Sequence, residues 1–185
     1  SETNVTMIPS EKLEHSTSIN INMVPDKPYS YLFRTWRCLL QTAEKTQKIW
    51  IYNFNSKMRS IKNLHEKFKE QIVLINDDIL KIDEKKYSNE PMIVFGNLPY
   101  NISTQILIKW IRYNNLNKIF KKFVLMFQKE VAERIIAETN NKNYGRLSVL
   151  SSWKLKIKKV IDVSPNSFYP IPKVKSTVLL IEPKK

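Results

Sequence analysis

A chain of 185 residues is long enough for one domain with a real hydrophobic core and too short for two comfortable ones. One cysteine, Cys38, and two histidines, His15 and His65, exclude an internal disulfide framework and leave thiolate or imidazole metal sites without a ligand set. Lys and Arg number 31 against 17 acidic residues, a net charge of +14 that draws the molecule toward a polyanion and makes nucleic acid the leading partner.

A lysine-rich proteome would carry the same excess without binding anything, so charge alone divides the two readings about evenly. Lys154, Lys156, Lys158 and Lys159, and Lys118, Lys121 and Lys122, are local concentrations that suit phosphates or a solvated face. No run approaches the roughly eighteen apolar residues of a membrane span, and no basic-then-apolar export signal opens the chain. A soluble, cytoplasmic monomer is expected, which leaves the Asn-x-Ser/Thr triplets at Asn4 and Asn101 as chance matches. Only two glycines occur, Gly96 and Gly145, so no glycine-rich phosphate or dinucleotide loop can be assembled.

Residues 1–28 carry polar residues and Pro without a sustained period and read as a flexible or irregular leader to a domain over 29–185. From Tyr29 to Gln47, Leu32, Phe33, Trp36, Leu39 and Leu40 recur on one face of an amphipathic helix, where core packing is the expected role. Strands are then expected at Ile49–Phe54, Ile72–Ile75 and Met92–Phe95, with a helix at Ser56–Lys69 between the first two. The third strand runs into Gly96 and the turn Asn97-Leu98-Pro99-Tyr100. A helix follows from Ser103 to about Tyr113, with Ile106, Leu107, Trp110 and Ile111 on one face and Ser103 as its cap. Next come a strand at Phe123–Phe127, helices at Lys129–Glu138 and Arg146–Trp153, and strands at Ile157–Val163 and Thr177–Ile181.

Strands alternating with helices of this length predict an α/β domain with a mostly parallel sheet covered on both faces, ending in an antiparallel, hairpin-like edge. Ligands of such sheets bind beyond the carboxyl ends of the strands. Three places qualify: Asn53 to Asn55, Asp77 with Asp78, and Asn97 to Tyr100.

The last of these suits one kind of chemistry. The exocyclic amine of adenine is a poor nucleophile because its lone pair is delocalised into the ring. Hydrogen-bond acceptors on the amine hydrogens favour a pyramidal nitrogen whose lone pair is free to attack an electrophilic methyl. The Asn97 side-chain oxygen, with a backbone carbonyl beside Pro99, supplies two acceptors; Pro99 stiffens the turn and Tyr100 can stack on the base. No general base is needed, since methyl transfer itself makes the nitrogen acidic. Taken alone, the tetrad is also an ordinary strand-to-helix turn.

Its surroundings narrow the choice. Phe95–Thr104 reads FGNLPYNIST, Phe127–Ile135 FQKEVAERI, Tyr144–Val149 YGRLSV and Phe168–Val174 FYPIPKV. In this order and spacing they resemble the KsgA/RsmA family of small-subunit rRNA adenine dimethyltransferases, bacterial members above all, kin to the erythromycin-resistance rRNA methyltransferases. The resemblance implies a Rossmann-like, S-adenosylmethionine-dependent methyltransferase fold. It also implies transfer of two methyl groups to each of two adjacent adenines of small-subunit rRNA during ribosome maturation. By resemblance, Asn97 contacts both the methionine moiety of the cofactor and the target amine, Leu98 and Pro99 shape the turn, and Tyr100 stacks on the adenine while Phe168 closes its other face. Asp78, in the run NDDIL, matches the acid that reads the cofactor's adenine amine. Arg146, Lys129 and Lys173 lie in matched motifs, with structural and phosphate roles both open.

The likeness covers residues 49–185 and is strong from Asn76 onward. Upstream, the family's QNFL-like entry segment, its glycine-rich loop and the acid that holds the ribose hydroxyls have no match. Asn53 and Asn55, in IWIYNFNSKM, stand where acids are expected, and an amide accepts from one hydroxyl less strongly than a carboxylate does from two. The N-terminal part therefore reads as incomplete, and no counterpart of the family's C-terminal helical domain is expected. These departures keep a second function in view: a catalytically inactive RNA-binding or ribosome-assembly module, or the fragment of a frameshifted gene.

Overall fold

The FKKFVLMFQ run explains how the sheet meets its core. Phe123, Leu125 and Phe127 alternate along the strand Phe120–Gln128 and all face one hydrophobic cluster. Phe120 joins them although it lies three residues before Phe123, because the register shifts by one at Lys121: Met92 pairs with Phe120 and Ile93 with Lys122.

In the computed structural model the described residues are 4–9, 49–53, 72–75, 77–168 and 171–185. Their strands are β1 (Asn4–Pro9), β2 (Ile49–Asn53), β3 (Ile72–Ile75), β4 (Met92–Asn97), β5 (Phe120–Gln128), β6 (Leu155–Val163) and β7 (Ser176–Pro183). The helices are α1 (Ser103–Ile111), α2 (Leu116–Ile119), α3 (Lys129–Ile136) and α4 (Arg146–Lys154), with single 3₁₀ turns at Glu84–Lys86 and Pro165–Ser167. One sheet runs in the order β3-β2-β1-β4-β5-β7-β6. β2 pairs in parallel with β3 and β4 with β5, while β1 and β7 run against both of their neighbours. Five of the seven strands point one way, but β1 and β7 are inserted between them, so two of the six pairings are parallel and four antiparallel: the α/β sheet is mixed rather than mostly parallel.

Two expectations change here. Asn4–Pro9, inside the stretch read as an irregular leader, forms β1 in the middle of the sheet; β-branched Val5, Thr6 and Ile8 suit it to strand pairing. Ser103 does not cap α1. Ile102 occupies the cap position without a side-chain bond, and the buried Ser103 hydroxyl donates instead to the Tyr100 carbonyl at 3.2 Å. The helices expected at 29–47 and 56–69 lie outside the described residues.

The four described helices share one face. Ile106, Leu107, Trp110 and Ile111 of α1, Leu116 and Ile119 of α2, Ala132 and Ile135 of α3 and Leu147 of α4 enter the cluster that holds Val94, Phe123, Leu125, Phe127, Leu179 and Ile181. Phe95 and Met126, one residue out of phase, are buried on the opposite face. Trp110 packs against Phe123 and Phe120 with ring centroids 5.2 and 5.9 Å apart, tilted as aromatic quadrupoles prefer. The expected antiparallel edge is present: β6 is the last strand, paired only with β7.

Beneath α1 lies a polar centre that the charge pattern does not announce. Glu84 is fully buried, and its Oε1 accepts from Lys109 Nζ at 2.7 Å and Trp110 Nε1 at 2.6 Å. Its Oε2 accepts from Tyr113 Oη at 2.7 Å. Burial, then the hydrogen bond to Glu84, pushes the Tyr113 phenol well above its usual range, so it remains a donor. Lys109 also donates to the Ile79 carbonyl at 2.6 Å, so this centre pins the loop after β3 onto α1.

Candidate active site

Parallel register brings the three sequence-predicted places to one edge. β2 ends at Asn53, β3 at Ile75 just before Asp77 and Asp78, and β4 at Asn97; Tyr52 is in register with Ile75 and Asn97 with Met126. β1 enters between them in the opposite direction, so Asn4 pairs with both Asn53 and Asn97. β5 and β6 finish on this edge too, where Gln128 and Val163 both pair with Ser176, the first residue of β7.

Asn97 is the last residue of β4 rather than part of the turn, and it is 3% exposed. Leu98 is fully buried in the core cluster and anchors the turn from below. Pro99 offers its carbonyl to the Ile102 amide at 3.1 Å, which closes the turn into α1. Tyr100 is half-buried, and its hydroxyl lies 2.7 Å from the hydroxyl of the fully buried Ser176. Phe168 is half-buried directly after the Pro165–Ser167 turn, its amide donating to the Pro165 carbonyl at 3.1 Å. The fold therefore sets both expected stacking rings, Tyr100 and Phe168, in segments at the carboxyl edge.

Asp78 lies where the sequence puts it, exposed in the turn after β3. Its Oδ1 accepts from the Leu80 amide at 3.0 Å, a capping role, while Oδ2 stands 3.9 Å from Lys81 Nζ in a side chain 45% exposed. One carboxylate oxygen is bonded to the turn and the other faces Lys81 from an exposed side chain, with acceptor capacity to spare. Asn53 comes to the edge by register. The backbone thus brings to one edge Asn53, Asp78 and Asn97, the residues expected at the ribose, the adenine and the methionine end of S-adenosylmethionine. The fit stops there. β1 runs against β4, with Pro9 paired to Met92 at the end opposite the carboxyl edge, so none of its described residues forms a turn at that edge.

Sequence reasoning missed a second polar cluster beside Tyr100. Asp162 Oδ1 accepts from Thr177 Oγ1 at 2.7 Å, and Oδ2 from Lys159 at 2.9 Å and Lys129 at 3.1 Å. A bulge makes this possible: Lys159 pairs with Leu179 and Ile161 with Val178, which leaves Val160 extra and turns Asp162 to face Thr177. The only trace in the sequence is a Ser-Thr pair opening an otherwise apolar strand.

Bonds from Lys159 and Thr177, then Lys129, hold the Asp162 carboxyl well below the usual carboxylate range. A lowered folded-state value means stability that is present above the unfolded pKa of about 4 and is lost as the pH falls through the folded value. With a side chain 36% exposed, solvent screening keeps the effect modest. The urea midpoint of Asp162→Asn is expected below that of the parent at neutral pH, with the gap constant down to about pH 4 and narrowing below it. A gap that widened in acid would contradict this assignment.

Among the expected basic patches, Lys159 and Lys129 are bound to Asp162, Lys122 pairs with Glu182 at 3.2 Å, and Lys154 donates to the carbonyls of Ile111 and Tyr113 at the end of α1. Lys156, Lys158 and Lys173 and Arg146 are exposed. Among the described residues no group of three His, Cys, Asp or Glu could hold a metal ion, and no helix is long and apolar enough to cross a membrane.

Comparison with known proteins gives one consistent picture. The sequence model of a family described as "Ribosomal RNA adenine dimethylase" matches residues 43–185. The chain is 53% identical over 142 residues to ribosomal RNA small subunit methyltransferase A of Pelagibacter ubique, a match spanning 77% of this chain and 53% of that protein. It is 50% identical over 110 residues to the protein of the same name from Wolbachia pipientis, covering 60% and 40% respectively. Among solved structures it is similar to a dimethyladenosine transferase from Plasmodium falciparum, with a TM-score of 0.62 and 32% identity over 72% of this chain and 46% of that one. The 23S rRNA methyltransferase ErmE has a TM-score of 0.54 at 25% identity, over 72% and 51% of the two chains. The chain spans about half the length of the curated relatives it matches.

Proposed function

Because this chain belongs to the ribosomal RNA adenine dimethylase family, we propose that it acts as an rRNA adenine N6-dimethyltransferase. The substrate proposed is adjacent adenines of small-subunit rRNA, and the methyl donor S-adenosylmethionine. The observation that carries the reading is the seating of Asn97-Leu98-Pro99-Tyr100 at the carboxyl end of β4, on the same edge as Phe168 and Asp78. Asn97 and the turn carbonyl accept from the amine hydrogens and concentrate the nitrogen lone pair for attack. Tyr100 and Phe168 take the two faces of the extruded base, which excludes water and fixes the amine in line for transfer.

Asn53, Asp78 and Asn97 are the residues that would hold the donor: Asn53 at the ribose, Asp78 at the adenine amine and Asn97 at the methionine moiety. When bound, S-adenosylmethionine supplies a methyl group made electrophilic by its sulfonium. The positive charge of the chain, +14, supports attraction to rRNA that is steep in salt. Calorimetric titration with S-adenosylmethionine, followed by mass spectrometry of small-subunit rRNA for dimethyladenosine, tests the proposal. Cofactor binding with dimethyladenosine formed is the expected outcome. RNA affinity without any cofactor binding would replace the enzyme with an RNA-binding module.

A further inference from the structure

Tyr100 does not need its hydroxyl to stack on a base, since a phenyl ring has the same π-face. Here the hydroxyl is 2.7 Å from Ser176 Oγ, and Ser176 is a fully buried polar residue at the start of the strand that sends Leu179 and Ile181 into the core. Its place is fixed from several directions. Gln128 and Val163 flank it in the sheet. The carbonyl of Lys175 accepts from the Lys129 amide at 2.9 Å, and Thr177 is bound to Asp162 at 2.7 Å. Eight residues before Ser176 on the same chain segment stands Phe168.

We propose that Ser176 is a positioning residue for base recognition: its hydroxyl fixes the plane of the Tyr100 ring and ties the Tyr100 turn to the segment that carries Phe168. The inference rests on the reading of Tyr100 and Phe168 as the two sides of an adenine slot. Without the bond, the ring is free to rotate about its side-chain torsions, and the slot loses its fixed width. RNA still binds, because phosphate contacts dominate affinity, but the amine is no longer held in line. A displacement of about 1 Å costs on the order of a hundredfold in rate.

The test uses the full chain with two rRNA fragments: one carries 2-aminopurine at the target position, whose fluorescence falls on stacking, and the other carries adenine there for the rate, since 2-aminopurine has no 6-amine to methylate. Tyr100→Ala is expected to abolish the quench. If it does not, the stacking role of Tyr100 fails, whatever Ser176 does. Given that quench, Ser176→Ala is expected to reduce it and to lower kcat about 10- to 100-fold, with the Kd for RNA within about threefold. Tyr100→Phe removes the same bond from the other side without touching the core, so it should match Ser176→Ala. The double variant should be no worse than either single one. Full activity and full quench in Tyr100→Phe overturn the proposal, and this result stands even where Ser176→Ala does not fold. A double variant in which the two losses multiply also overturns it, because Ser176 would then act through sheet packing alone.

Discussion

Replacing Asn97 with alanine is expected to reduce methyl transfer to rRNA by at least about a hundredfold while leaving RNA affinity within a few-fold. The size follows from the role proposed for the amide: it would accept from an amine whose hydrogens must be held as charge develops on nitrogen, and removing one such preorganised partner costs about 10² to 10³ in kcat. Asn97 is 3% exposed and ends the central strand β4, so the variant must first pass a circular dichroism melt beside the parent. Labelled methyl incorporation then gives the rate. Asn97→Asp retains an acceptor oxygen and should keep more activity than Asn97→Ala. An alanine variant that transfers methyl at the parental rate would remove Asn97 from the chemistry.

The second large effect concerns stability. Glu84→Ala is expected to destabilise the fold by about 3 to 5 kcal/mol, because it strips a buried ion pair of one partner. Lys109, only 17% exposed, would lose its counter-charge, and the Trp110 indole and Tyr113 hydroxyl would each lose an acceptor. For a chain of this size that corresponds to a fall in Tm on the order of 10 °C. Tyr113→Phe removes one hydrogen bond to the same carboxylate and should cost about 1 to 3 kcal/mol. Urea denaturation of both variants settles the matter. A loss below about 1 kcal/mol for Glu84→Ala would mean that water replaces the partners. Since the centre pins the loop that carries Asp78, a weakened loop should also loosen cofactor binding in the Tyr113 variant before it unfolds the chain.

The candidate site was legible because its signals are local. Asn97 to Tyr100 is a contiguous strand end and turn after a run of β-branched and aromatic residues, and the apolar spacing of Ile106, Leu107, Trp110 and Ile111 predicts the helix that follows it. Asp78 could be placed for the same reason, as an acid just beyond a four-residue apolar strand. What escaped depends on long-range contact. Asp83 and Glu84 sit among lysines in KIDEKK and look like a solvated charge run; only the return of α1 from Lys109 onward buries Glu84. Asp162 is equally ordinary in sequence, and its meeting with Thr177 depends on a bulge at Val160 that no periodicity rule anticipates. β1 was missed because six residues flanked by polar sequence have too little amphipathic signal to stand out from a leader.

β1 also bears on how the molecule comes apart. In the described ladder it is the one strand that joins β2 and β3 to the rest of the sheet, while β4, β5, β7 and β6 carry the helices and the aromatic core. Native-state hydrogen exchange should therefore divide the backbone into two cooperative units with different opening free energies. Amides of β5 and β7 are expected to exchange only on global unfolding, and those of β2 and β3 through a cheaper opening in which β1 slips out of its slot. Such an opening would part Asn53 from Asn97 while Tyr100 and Phe168 stay in place, so the residues proposed to grip the base can remain folded when Asn53 has left the edge.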